Sequence, residues 1–249
     1  MLWLVLAAAG FGAGVVNAIA GGGSLLSFPA LLLTGMGSVA ANATNTLAVW
    51  PGTASSTWAY RRFIGEERRR ALVLALPSTL GGLLGSVILI HTPEKYFSAV
   101  VPWLILFACA LLVAQEPIGR FVAAHRAQGE GRVPAPLWVA QLLISVYGGY
   151  FGAGIGILML AAMGILLPSS MQHANALKVL FAMVINGVAA AYFLALGAAS
   201  LPEAALMAAA SLAGGVAGAR LAQRMPARAL RGAVVAYGVV VALVLMRRG

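Results

Sequence analysis

The sequence predicts an all-α integral membrane protein built from two inverted repeats. Each repeat has four transmembrane helices and one half-length helix broken, or re-entrant, at a glycine-rich stretch. Three observations predict this. Hydrophobic residues make up 61% of the 249 residues, charged residues 9%, and mean hydropathy is +0.95, whereas a soluble domain carries about 25% charged residues. A glycine-rich break separates a full-length apolar segment from a short one twice, at Ala20-Gly21-Gly22-Gly23-Ser24 and at Ala153-Gly154-Ile155-Gly156-Ile157, 133 residues apart (20 to 153). Corresponding loops of the two halves also exchange charge character.

A helix needs about 20 mostly apolar residues to cross the hydrocarbon core. Segments of that order are 2–20, 41–60, 71–90 and 98–115 in the first half, and 136–153, 174–196, 203–221 and 229–246 in the second. The first follows Met1-Leu2-Trp3-Leu4 without a basic n-region, and so reads as a retained helix rather than a cleaved signal. Segments 24–34 and 155–167 are too short to cross alone; Pro29, Gly35 and Gly37 punctuate one and Pro168 closes the other. A polar linker, 116–135, with Glu116, Arg120, Arg126, Glu130 and Arg132, divides repeat 1 (1–115) from repeat 2 (136–249).

Loop 61–70 carries Arg61, Arg62, Arg68, Arg69 and Arg70 against Glu66 and Glu67, while loop 91–97 has only Glu94 and Lys95. In the second half the order reverses. Loop 197–202 lacks basic residues, and the 220–231 region holds Arg220, Arg224, Arg228 and Arg231. Basic loops face the cytoplasm, so corresponding loops face opposite sides and each half makes an odd number of crossings. The arrangement expected is five plus five, with a cytoplasmic linker and both termini outside; Arg247 and Arg248 argue against the last point. The net charge of +10 is accounted for by these loops, which excludes a nucleic-acid partner and leaves the lipid bilayer as the surroundings. The lone Cys109 lies in an apolar run, so neither a disulfide framework nor a metal cluster is expected, and no cofactor.

Interrupted helices at matching places in a duplicated chain point to a secondary transporter with its site at the breaks. Backbone freed from a helix inside lipid must be satisfied by protein, water or ligand. Gly21, Gly22, Gly23, Gly152, Gly154 and Gly156 precede half-helices whose N-terminal N–H groups suit an anion. Gly148 and Gly149 read instead as close helix packing. Ser24 is a weaker candidate, with Ser27, Asn42, Thr44 and Thr46, because small hydroxylic residues commonly serve helix packing in lipid. Asn45 and Asn175 stand near the starts of paired helices, where an amide can both donate and accept; the alternative is a hydrogen bond within the bundle. Tyr150 aligns with Asn17 just before the breaks.

Lys178 is the one charged residue well inside an apolar span. A lysine at a helix centre costs about 2.5–3.5 kcal/mol on insertion scales, so it should face a cavity. The competing reading is that it snorkels to the interface. His173 reads as a loop or cap residue, with gating as the alternative. All six acidic residues fall in loops or at span edges, which removes a buried carboxylate proton relay.

Residues 20–33, with Ala41-Asn42-Ala43-Thr44-Asn45-Thr46 and Pro51-Gly52, resemble the first-half signature of the TauE/SafE sulfite-exporter family. Residues 148–156, with His173-Ala174-Asn175-Ala176-Leu177-Lys178, resemble its second half, and the resemblance covers nearly the whole chain. It implies a multi-pass permease of the bacterial inner membrane that moves sulfite and small organosulfur anions, commonly outward. By the same resemblance the site lies at the two glycine runs, Asn45, Tyr150, Asn175 and Lys178. No cysteine stands in the first span, so thiol chemistry is not expected.

Export of sulfite or a related sulfonate is therefore the leading expectation, and a homo-oligomer is left open. An importer or ion-coupled carrier of small anions is the alternative on the same scaffold. An intramembrane hydrolase using Ser24 and His173 is disfavoured, because Leu25 rather than glycine follows the serine.

Overall fold

Residues 1–19, 22–124, 133–167, 170–221 and 227–248 are described by a computed structural model. They form α1 (Leu2–Ile19), α2 (Ser24–Leu32), α3 (Ser38–Ala59), α4 (Arg61–Glu66), α5 (Arg68–His91) and α6 (Glu94–Ala124) in the first half. The second half holds α7 (Ala135–Tyr150), α8 (Ile155–Leu166), α9 (Met171–Ala195), α10 (Leu201–Leu221) and α11 (Ala227–Arg248). No strand occurs among the described residues. Gly21, Pro168 and the loop residues 222–226 lie outside them, as does 125–132 of the expected linker.

Among the described residues four stretches are long and apolar enough to cross a membrane: Arg68–His91, Glu94–Ala124, Gln172–Ala195 and Leu230–Arg247. Leu2–Asn17, Ile155–Leu166 and Leu201–Ala217 are shorter apolar helices among the described residues. The sequence led us to expect eight full-length crossings, and two departures have clear causes. Helix α3 is long but polar, because Asn42, Thr44, Asn45 and Thr46 point into the bundle rather than to lipid. Helix α7 has 16 residues, a rise of about 24 Å against a hydrocarbon core of about 30 Å. The outer surface is apolar, with Trp58, Leu72, Trp103, Val113 and Leu143 exposed. That is how a bundle solvated by lipid presents itself.

Glycine sets the closest helix contacts. On α1 a methyl at Gly14 would stand 2.1 Å from Ser211 O of α10. On α5 one at Gly85 would stand 2.1 Å from Val146 O of α7. Gly10 and Gly81, one turn earlier on each helix, meet the same partner helices, at Met207 O of α10 and Leu142 O of α7. These are small-xxx-small contacts, the device by which helices approach in lipid without a hydrophobic driving force. Gly149 belongs to the same seam, against Gly82 O, and Gly148 lies on Ile185, so both pack as the sequence suggested.

The two halves interlock rather than sit side by side: α1 lies on α10, α5 on α7, and α3 on α9. Exchanging α1 with α7, α2 with α8, α3 with α9, α5 with α10 and α6 with α11 maps the principal helix contacts onto one another. Helices α3 and α9 run antiparallel, tied by Trp50 Nε1 to Met183 O (3.2 Å), Thr57 Oγ1 to Val179 O (3.1 Å) and Asn175 Nδ2 to Tyr60 Oη (3.1 Å).

The ends of these two helices fix the loops. At the start of α3, the Glu94 carboxylate accepts from Ser38 N and Val39 N, and Ser200 N donates to Thr44 Oγ1 at 2.9 Å. At the opposite end, α4 covers the first turn of α9. There Glu66 Oε2 lies 2.8 Å from His173 Nε2, and Phe63 meets the His173 ring edge-on. Helix α4 was not expected from the sequence. Nor was the extent of α6, which runs into the expected linker as far as Ala124. Glu116 is thereby a helix residue, and Arg231 of α11 donates to it at 3.1 Å.

Candidate functional site

Each break is stitched by a side chain from its own half. In the first, Gly22 takes a left-handed backbone (φ +96°) and Asn17 Oδ1 accepts from Gly23 N at 2.7 Å. The Asn17 amide thus satisfies one of the N–H groups that a half-helix start leaves free. Gly23 has no room for a side chain: a methyl would stand 2.3 Å from Ala13 O. Ser24 opens α2 half-buried. In the second break Gly152 and Gly154 are both left-handed (φ +81°), and Tyr147 Oη donates to Ala153 O at 2.7 Å. The freed carbonyl of Tyr150 accepts from Asn42 Nδ2 of the other half at 2.9 Å.

Both breaks arrive at one turn of α6. A methyl on Gly22 would lie 3.6 Å from Leu112, and one on Gly154 would lie 3.1 Å from Leu111. Phe28 of α2 completes the meeting with an edge-on contact to Phe151, ring centroids 5.5 Å apart. The two half-helices therefore start beside each other inside the bundle.

Polar side chains flank this meeting point unequally. Asn45 is buried on the first half-helix, accepting from Ser27 Oγ at 2.5 Å. Lys178 lies on the second: a methyl at Gly156, in the first turn of α8, would stand 3.3 Å from Lys178 Cδ and 3.9 Å from its Cε. Counted from the starts of α3 at Ser38 and α9 at Met171, Asn45 and Lys178 are both eighth residues.

No ion pair or hydrogen bond engages the Lys178 ammonium among the described residues, while its stem is packed. Gly154 caps α8 without a side-chain hydrogen bond. The Lys178 stem thus lies against the first turn of α8, where N-terminal N–H groups carry partial positive charge.

The remaining candidates divide. Asn175, one turn before Lys178, donates to Tyr60 and is half-buried. The Tyr150 ring packs edge-on against Phe97, centroids 5.4 Å apart, so the part of Tyr150 that is held at the break is its carbonyl. Asn45 does not join Lys178. Val179 is level with Thr57, twelve residues beyond Asn45 (45 to 57), which is about 18 Å of helix rise. Tyr147 went unnoticed in the sequence because nothing there marks which of two nearby phenols turns toward the break. His173 caps and clamps: Ser170 Oγ lies 2.6 Å from its Nδ1 and accepts from its backbone N–H. Among the described residues no three of His, Cys, Asp and Glu gather closely enough to hold a metal ion.

A lipid-solvated bundle whose two broken helices meet inside it has the architecture of a secondary transporter. Comparison with known proteins agrees. The family described as sulfite exporter TauE/SafE matches residues 6–245. A probable membrane transporter protein, ORF9, of Sinorhizobium sp is 32% identical over 166 residues, 64% of this chain and 61% of its own length. A probable membrane transporter protein of Haemophilus influenzae is 30% identical over 181 residues, 71% of this chain and 69% of its own. YfcA of Escherichia coli K12, likewise a probable membrane transporter protein, is 28% identical over 145 residues, 58% of this chain and 52% of its own. The chain belongs to the TauE/SafE family of membrane transporters.

Proposed function

We propose that the protein is a permease of the bacterial inner membrane that exports sulfite or a closely related organosulfur anion. The observation that carries this reading is the Lys178 side chain laid across the first turn of α8, without a partner among the described residues. A fixed cation and a half-helix start on one side of a small anion supply the charge that a polar lining alone would lack. The family description, sulfite exporter, gives the anion its chemistry. An anion leaving a negative-inside cell gains about 2.3 kcal/mol per charge per 100 mV, so outward movement needs no carboxylate proton relay.

The repeats are inverted in this account, divided as 1–115 and 136–249 about a cytoplasmic linker. Two packing relationships support it. The 197–202 loop reaches Thr44 near the start of α3, whereas its counterpart at 61–70 lies at the other end of α3 and covers α9. The paired helix contacts exchange between halves in the same sense.

A second reading, an ion-coupled carrier on the same scaffold, rests on Asn42. Among the described residues its Oδ1 is buried without a hydrogen-bond partner while its Nδ2 holds the Tyr150 carbonyl. A cation among these oxygens would satisfy it. Flux measured in liposomes separates the two readings. Sulfite efflux that follows the membrane potential in the absence of Na⁺ and of a proton gradient supports the uncoupled permease; efflux abolished without one of those cations supports the carrier.

A further inference from the structure

Where α4 turns down onto the bundle, a cleft of about 350 Å³ opens between α4, α5 and α9. Its rim carries Arg61 and Arg68; its floor and walls are Leu72 and Ala75 of α5 with Leu180 and Val184 of α9. Arg68, Leu72 and Ala75 succeed one another at spacings of four and three, and Leu180 and Val184 at four, so each set shares one helix face. The cleft thus runs from two guanidinium groups along two membrane-spanning helices into apolar depth.

The nearby carboxylates are committed elsewhere. Glu67 binds Arg70 at 2.8 Å, and Glu66 faces Arg62 and His173. Neither Arg61 nor Arg68 pairs with a carboxylate among the described residues. Arg61 is held at the rim by Trp58, over whose ring it stacks at 4.9 Å and to whose carbonyl it donates. Trp58 itself is exposed, as aromatic residues at the headgroup level are.

We propose that this cleft is a binding site for an anionic glycerophospholipid, its phosphate between Arg61 and Arg68 and one acyl chain along Leu72, Ala75, Leu180 and Val184. The charge and the shape select it together. A soluble anion has no use for an apolar furrow two helical turns long, and a zwitterionic lipid brings its own cation against two arginines. Basic pockets between helices at a membrane surface bind anionic headgroups for this reason. A lipid seated here would also brace α4, the element that covers the first turn of α9.

The test uses the full-length protein in a neutral detergent, titrated with phosphatidylglycerol or phosphatidylcholine and read by native mass spectrometry. Wild type should prefer phosphatidylglycerol at least tenfold. Arg61→Ala with Arg68→Ala should remove that preference. Arg62→Ala with Arg69→Ala, which loses the same charge from arginines outside the cleft, should keep it. Ala75→Phe, which fills the furrow, should lower lipid occupancy with both rim arginines in place. Glycerol 3-phosphate should not displace the lipid. Equal loss in the two double variants, equal binding of phosphatidylcholine, full occupancy in Ala75→Phe or displacement by glycerol 3-phosphate would each overturn the proposal.

Discussion

Lys178 lies across Gly156 so closely that a single methyl on the glycine would stand 3.3 Å from the lysine Cδ. A side chain at Gly156 would press on the lysine stem and require it to shift by a few tenths of an ångström. This contact joins Lys178 to the second helix break, and the functional account rests on it.

Gly156→Ala should therefore separate binding from folding. Gly156 is not among the left-handed glycines and sits inside a helix, where alanine is favoured by roughly 0.5–1 kcal/mol. Thermal stability in detergent should hold or rise. Sulfite affinity should fall about threefold to tenfold, because the lysine stem must move. Unchanged affinity in a stable Gly156→Ala protein would show that the lysine position is immaterial.

Gly149→Ala makes the opposite prediction. Its methyl would stand 2.1 Å from Gly82 O, a backbone atom that cannot swing away. Overpacking of this kind costs about 1–3 kcal/mol. The variant should lose stability in thermal unfolding, with α5 and α7 forced apart. A wild-type midpoint would mean that the α5–α7 seam is looser than its glycines require.

Much of this was legible beforehand, and the exceptions are instructive. The breaks announce themselves because left-handed backbone needs glycine, and Gly22 and Gly154 both use it. The lysine announces itself because a charge inside an apolar span is costly. Three features stayed hidden. Helix α3 looked like an ordinary span, since composition does not say that Asn42, Thr44, Asn45 and Thr46 all turn inward. The break at Ala153 is held by Tyr147 rather than by Tyr150, a choice made by side-chain direction alone. The third was the short helix α4 over Arg61–Glu66, because five arginines and two glutamates within residues 61–70 read as a solvated loop.

Inversion of the repeats predicts sidedness. In a Cys109→Ala background, which removes the lone cysteine, Arg62→Cys should react with an impermeant thiol reagent only from the cytoplasmic face. Lys95→Cys and Leu196→Cys should react only from the opposite face. Labelling of all three from one side would contradict the inverted arrangement.

Selectivity follows from the charge lining the site. Lys178 and the α8 start offer positive charge, and no carboxylate pairs with them among the described residues. The ammonium of taurine would lose its hydration without a partner. In calorimetry with sulfite, sulfate, thiosulfate, sulfoacetate and taurine, the anions without an ammonium should bind and taurine should bind at least tenfold more weakly than sulfite. Equal affinity for taurine and sulfite would count against the site as drawn.

The most direct measurement is sulfite binding and liposome flux by Lys178→Ala protein that elutes and melts as a folded species. If the ammonium holds the anion, the variant should lose about 1.5–3 kcal/mol of binding, the range for a hydrogen bond to a charged group, and its flux should fall in step. Lys178→Arg should recover only part of the loss, because a planar fork does not reproduce a compact ammonium over Gly156. Wild-type binding and flux in Lys178→Ala would contradict the account and leave Lys178 as a lysine that merely reaches for the interface.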